Sequence, residues 1–274
     1  MGRSVLITSC KGGVGKSTVS ANLAHAMAEL FEPTVTCSKN DLSDLTAINK
    51  KILLIDCDFG VRSLDLIMGV EDTNIYDLND VLEKKVTLDE AVRAVDGREN
   101  LFVVAAPMNY VSSEFPVDEF VKLVEEAKSQ YEFVILDSAP AHAESFYIAQ
   151  KAADMSLIVS SSTSCSLRAA AKTASELAKL GSDEPKLVMN MFEPRKILSK
   201  EYSGIMKSIE SASSQLIGII PFDSAVSVKQ EKGKSCDLKR DKCGKAFIEL
   251  AYRVIGFNVP LPKRILGIST KRLF

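Results

Sequence analysis

Two lysines bracket a cluster of glycines in residues 9–18, SCKGGVGKST. Gly12, Gly13 and Gly15 can turn a chain tightly enough for its amides to wrap phosphate oxygens, and Lys16 followed by Ser17 supplies a cation for the β- and γ-phosphates of a nucleotide. Lys11 through Thr18, with Val14 among the glycines, is therefore the candidate phosphate cradle. Lys11 precedes the turn, so its Cα lies at the mouth of the loop, where its ammonium meets either a neighbouring molecule or only solvent. Carboxylates at the ends of apolar runs form the second group. Phe133-Val134-Ile135-Leu136-Asp137 closes on an acid placed to hold Mg²⁺ through water opposite Ser17. Asp56 and Asp58 end the run from Ile52, and only one of them is expected to meet a reacting centre directly; the other role, capping the next helix, suits Asp56 better.

Such residues need a scaffold that brings distant strand ends together. Short β-branched runs at Ser4 to Thr8, Ile52 to Asp56, Leu101 to Val104, Phe133 to Asp137, Ser156 to Ser160, Lys186 to Asn190 and Leu216 to Ile220 read as buried strands. Helical stripes alternate with them: Phe120, Val121, Val124 and Ala127; Leu167, Ala170, Ala171, Ala174, Leu177 and Ala178 ahead of Gly181; and Ala246, Phe247, Leu250, Ala251, Val254 and Ile255. The pattern predicts an α/β fold, a doubly wound and mostly parallel sheet with helices on both faces, whose ligands sit at the carboxyl ends of the strands. Residues 1–259 are expected to form one domain around the phosphate loop, with 31–51 as a surface insertion and 260–274 as a basic tail.

Hydrophobic residues make up 46% of the 274, enough for one large core, and a net charge of -2 excludes a whole-protein nucleic-acid footprint. No apolar run approaches the ~18 residues of a membrane span, which leads to the expectation of a cytoplasmic protein. The six cysteines include no C-x-x-C, which suits reduced thiols; Cys236 and Cys243 are the only near pair. His142 is expected to be structural, since phosphoryl transfer needs no histidine.

Two stretches carry a family resemblance. Residues 11–17, K-G-G-x-G-K-S, resemble the deviant phosphate loop of the ParA and MinD group of ATPases, with Cys10 standing where the strict loop has glycine. Residues 52–69, ILLIDCDFGVRSLDLIMG, resemble the first switch of that group, with Asp56, Asp58, Gly60, Arg62, Leu64, Asp65, Leu66, Ile67, Met68 and Gly69 in place. The resemblance covers most of the chain to about Phe257 and is tightest over residues 52–107. It implies ATP and Mg²⁺ as cofactors, Lys11 crossing a dimer interface to the partner's phosphates, Asp58 orienting the attacking water, and Asp56 supporting the water shell of the magnesium held at Ser17 and Asp137. It also implies an adenine pocket built from Asn190, Pro221 and Asp223. Ser138-Ala139-Pro140-Ala141 matches the second switch except that Ala141 replaces glycine.

A MinD-like protein is an ATP-dependent homodimer and a slow, partner-stimulated ATPase. By the resemblance it binds the inner face of the cell membrane peripherally, recruits a division inhibitor of MinC type and answers to a regulator of MinE type. The tail LPKRILGISTKRLF, residues 261–274, fits that role as an amphipathic helix. Leu261, Ile265 and Ile268 share one side, Leu266, Leu273 and Phe274 add apolar surface, and Lys263, Arg264, Lys271 and Arg272 meet anionic lipid. A ParA-type DNA-partition ATPase and a flagellar-number regulator are the alternatives. The basic run Lys229, Lys232, Lys234, Lys239, Arg240, Lys242 and Lys245 would serve DNA, but Glu231, Asp237 and Asp241 dilute it, which ranks DNA below the membrane as a partner. An iron-sulfur carrier is disfavoured by the absence of C-x-x-C.

Overall fold

The computed structural model describes residues 2–9, 11–32, 50–59, 61–71, 75–110 and 115–274; Cys10, Gly60 and most of the expected insertion, 33–49, lie outside the described residues. Eight strands form one sheet: β1 (Arg3–Thr8), β2 (Ile52–Cys57), β3 (Arg93–Ala94), β4 (Leu101–Val104), β5 (Phe133–Ser138), β6 (Met155–Ser160), β7 (Lys186–Phe192) and β8 (Gln215–Pro221). Their order is β3-β4-β2-β5-β1-β6-β7-β8. All neighbours run parallel except β3, a two-residue antiparallel edge on β4. The seven expected runs are all strands, and the doubly wound fold is the one observed. β3 carries no sequence signal because two residues cannot display a period.

Alternation along each strand sorts the core into two halves. Val5, Ile7, Leu54 and Ile135 point to one face, where α1 (Lys16–Leu30) and α11 (Gly244–Ile255) cover them; Leu6, Leu53, Ile55 and Leu136 point to the other, under α5 (Val117–Ala127), α6 (Glu144–Lys151) and α7 (Ser164–Lys179). α1 is buried on nearly every side, which explains its alanines: Ala21, Ala24, Ala26 and Ala28 let it lie close to both the sheet and α11. That tight seat fixes the helix whose first turn faces the phosphate cradle. α7 keeps the expected stripe at Leu167, Ala170, Ala174 and Leu177 and stops at Gly181, where φ is 80°.

The tail departs from expectation. In place of a helix, β9 (Arg264–Ile265) and β10 (Ile268–Ser269) pair antiparallel around Leu266 and Gly267, followed by a 3₁₀ turn over Thr270–Arg272. Leu266 and Gly267 have φ of 46° and 83°, the left-handed pair that closes a two-residue hairpin; a glycine in a short apolar segment favours that turn over a helix. Ile265 and Leu273 lie in the core, and the Leu273 carbonyl accepts a 2.7 Å bond from the Ile205 amide at the start of α9 (Ile205–Ala212). Of the residues expected to meet lipid, Ile265 and Leu273 are thus interior, Ile268 is half-buried, and Leu266, Lys271, Arg272 and Phe274 are exposed. Among the described residues no helix is long and apolar enough to cross a membrane.

Candidate nucleotide site

β1 ends at the centre of the sheet, and the cradle follows it. Gly13 and Gly15 are left-handed, with φ of 75° and 84°, and Gly15 caps α1. A Cβ on Gly15 would come within 2.4 Å of the Asn190 amide nitrogen, whereas one on Gly12 or Gly13 would meet nothing within 4 Å. The first contact demands glycine for close packing; the second leaves the loop's rim open to a ligand. The two lysines separate as expected: Lys16 is buried at the root of α1 and Lys11 is exposed at the lip. Ser9 Oγ donates to the Lys11 carbonyl at 2.9 Å, holding the loop's entrance.

The register of β2 on β5 sets Asp56 beside Asp137. Asp137 Oδ1 accepts from Ser20 Oγ at 2.6 Å, while its Oδ2 is buried without a hydrogen-bond partner. Burial raises the Asp137 pKa to about 6, against the opposing effect of the Ser20 hydrogen bond, the neighbouring Ser17 hydroxyl and the charge of Lys16. Burial, and then repulsion from Asp137, raises Asp56 further, to about 8. An orphaned carboxylate oxygen beside a serine hydroxyl, with further carboxylates close by, fits a hydrated divalent cation bound together with phosphate.

Both carboxylate oxygens of Asp56 are engaged by backbone amides. Its Oδ1 accepts from the Asp58 amide at 2.9 Å and its Oδ2 from the Leu64 amide at 3.1 Å, so it ties the end of β2 to the start of α2 (Leu64–Met68). This is the capping role that the sequence left open, and any support it lends a cation is indirect. Asp58 lies past the strand, half-buried, near enough to raise the pKa of both Asp56 and Asp137 by its charge. Ser63 Oγ reaches within 3.4 Å of Ser17 Oγ, which brings the segment expected to be the first switch to the cradle.

Residues 138–141, the expected second switch, are pinned to the end of β1. Ser138 Oγ donates to the Ile7 carbonyl at 3.1 Å, and the Ala141 amide donates to the Ser9 carbonyl at 2.6 Å. Ala141 has no positive φ, so glycine is not needed there; the exposed His142 takes the left-handed position instead, with φ 80°, consistent with a structural residue.

On the far side of the cradle, a cavity is lined by Thr18, Asn190, Pro221, Phe222, Gln230 and Cys243, among others. A bulge between β7 and β8, with Met191 at φ 51°, turns Asn190 toward the loop, and its Nδ2 donates to the Val14 carbonyl at 2.9 Å. Asn190 therefore braces the cradle and keeps Oδ1 and its second N–H for a base. Asp223 contributes no free carboxylate: Oδ1 caps α10 (Ser224–Gln230) through the Ala225 amide at 3.1 Å, and Oδ2 accepts from the Lys242 amide at 2.8 Å. Pro221 is buried at the end of β8, and the Phe222 amide is already bonded to the Phe192 carbonyl. Ser20, Ser63 and Gln230 went unread in the sequence, since nothing in their spacing marks them.

The basic run carries less free charge than its sequence suggests. Lys229 pairs with Asp241, Lys239 with Glu29, Arg240 with Asp237 and Lys245 with Glu249.

Residues 5–236 match the CobQ/CobB/MinD/ParA nucleotide binding domain family. The septum site-determining protein MinD of Helicobacter pylori is 30% identical over 262 residues, 93% of this chain and 91% of that protein. MinD in the MinC:MinD cell division complex of Aquifex aeolicus superposes with a TM-score of 0.82 at 28% identity, covering 95% of this chain and 98% of that one. Pyrococcus horikoshii MinD, solved with Mg-ADP, shares the fold with a TM-score of 0.77 at 24% identity, covering 93% and 97%.

Proposed function

The chain belongs to the CobQ/CobB/MinD/ParA nucleotide-binding family, and from that premise we propose that it is a MinD-type switch ATPase, which dimerises on ATP and helps to place the division site. The observation that carries the proposal is the separation of the two lysines. Lys16 is buried at the helix root, beside the cradle of its own chain; Lys11 is exposed at the lip, open to a neighbouring molecule. A second copy facing this surface would receive the Lys11 ammonium on its phosphates, where an added cation stabilises charge that builds on the transferring group.

Within one chain, the amides of the cradle and the α1 amino end hold the β- and γ-phosphates, with Lys16 neutralising them. Ser17 and Asp137 would hold magnesium, which supplies further neutralisation of the phosphates when bound. Asp58, beyond the rigid strand and free of the bonds that occupy Asp56, orients water for attack on the γ-phosphate. Departure of that phosphate removes the group facing the first switch, and the Ser63–Ser17 contact then links the change to residues 58–64.

A division inhibitor of MinC type, the partner in the Aquifex complex, and a MinE-type stimulator fit this reading as partners. Membrane contact is proposed for the surface formed by Leu266, Phe274, Lys271 and Arg272, with anionic headgroups as the ligand. The ion pairs made by four cations of the basic run weigh against the DNA-partition alternative.

The test compares Lys11→Ala, Lys16→Ala and Asp58→Ala. Lys16→Ala should lose nucleotide. Lys11→Ala should bind ATP but remain monomeric by light scattering, and Asp58→Ala should hold a persistent ATP dimer without turnover. A Lys11→Ala protein that dimerises normally would refute the assignment in trans.

A further inference from the structure

Gln230 ends α10 and lines the cavity that Asn190 borders. Its Oε1 accepts from Thr18 Oγ1 at 3.1 Å, which anchors the amide against the first turn of α1. Its Nε2 is buried without a hydrogen-bond partner among the described residues. A buried amide donor left unpaired is costly, and native proteins generally supply it with an acceptor. The other amide at this cavity is already engaged in part, because Asn190 Nδ2 gives one of its two N–H groups to Val14, and the carboxylate of Asp223 is held by two backbone amides. Among the described residues Gln230 is thus the side-chain amide at this cavity whose nitrogen has no partner at all.

We propose that Gln230 Nε2 donates to a purine ring nitrogen and is a specificity-determining residue for the base, an inference that rests on the nucleotide reading of the site. Thr18 lies just after the residues that hold phosphate, so an amide anchored there faces the phosphate-proximal edge of a base. A purine offers N7 on one edge and N3 on the opposite one, both acceptors flanking the glycosidic bond, and either can face the amide according to the orientation of the base. A pyrimidine, with a single ring, reaches less far across the cavity. The complementary acceptor, Asn190 Oδ1, is left for an exocyclic amine. Adenine supplies both partners.

The experiment measures affinities of the full chain for ATP, 7-deaza-ATP, 3-deaza-ATP and 2′-deoxy-ATP, each analogue lacking one candidate acceptor. Gln230→Met, close in length and shape, is measured in parallel, with its thermal midpoint as a check on folding. The parent should bind one of the two deaza analogues about tenfold more weakly than ATP, and Gln230→Met should bind ATP and both deaza analogues alike. Equal affinities in the parent, a deaza penalty that survives in Gln230→Met, or loss confined to 2′-deoxy-ATP overturns the assignment while leaving the nucleotide site standing. A parent that binds no ATP overturns both. Should Gln230→Met fold poorly, the deaza comparison in the parent and in Gln230→Glu, whose carboxylate cannot donate, decides the matter.

Discussion

Gly15→Ala should damage the protein through Asn190. The new methyl would stand 2.4 Å from the Asn190 amide nitrogen, on a residue whose φ is 84°. Holding alanine in the left-handed region costs about 1–2 kcal/mol. Pushing Asn190 aside also breaks its bond to the Val14 carbonyl, in a buried setting where an orphaned group costs roughly 1–3 kcal/mol. The single variant should therefore lose about 2–5 kcal/mol, a measurable part of the ~5–15 kcal/mol of a typical domain. Asn190→Ala alone should lose about 1–3 kcal/mol, and once that amide is gone Gly15→Ala adds only its backbone cost, ~1–2 kcal/mol. Urea unfolding of the parent, both single variants and the double variant, without nucleotide, gives the coupling directly. The double variant should be more stable than the sum of single losses by about 1–3 kcal/mol. Strict additivity would show that Asn190 does not brace the cradle.

Burial and the nearby Arg98 hold His25 down to a pKa of about 4, so it is neutral in the fold and its contribution is present above pH ~6.5 and lost as pH falls from there toward 4. His25→Gln should remove that slope, on the order of 3 kcal/mol, when urea midpoints at pH 7 and pH 4.5 are compared with those of the parent. Leu273→Ala should cost about 2–5 kcal/mol because Leu273 is wholly buried, whereas Leu266→Ala at the exposed hairpin tip should change stability by less than ~0.5 kcal/mol. Deleting 262–274 is accordingly expected to unsettle the domain as well as any membrane contact. Lys271→Glu with Arg272→Glu, both exposed, should weaken ATP-dependent sedimentation onto anionic liposomes while leaving the unfolding midpoint nearly unchanged. Unaltered sedimentation would remove the proposed membrane surface.

Much of this site was legible because its signals are local. The K-G-G-x-G-K-S loop announces a turn around phosphate, β2 and β5 are apolar runs closing on Asp56 and Asp137, and the helical stripes of α5, α7 and α11 repeat at the helical period. What stayed hidden depends on distance along the chain. Asn190 meets Val14 across 176 residues and Ser20 meets Asp137 across 117, contacts that only the sheet order brings about. The tail failed for a different reason. Its leucines and isoleucines suit a helical stripe or a hairpin with buried alternate residues equally well, and Gly267 with the contact at α9 decides for the hairpin.

The place of β1 in the sheet constrains how the chain can be assembled during synthesis. Arg3 pairs with Phe133 and Val5 with Met155, so the strand that roots the phosphate loop has no neighbour until about residue 138 has been made and lacks its second until about residue 160. At common translation rates that is a wait on the order of ten seconds, with an apolar strand unpaired throughout. Asn190 then arrives later still to close the cradle. A nucleotide present in the cell can consequently stabilise only nascent chains that have passed that point, and the earlier ones depend on chaperones or on local helix formation to stay out of aggregates.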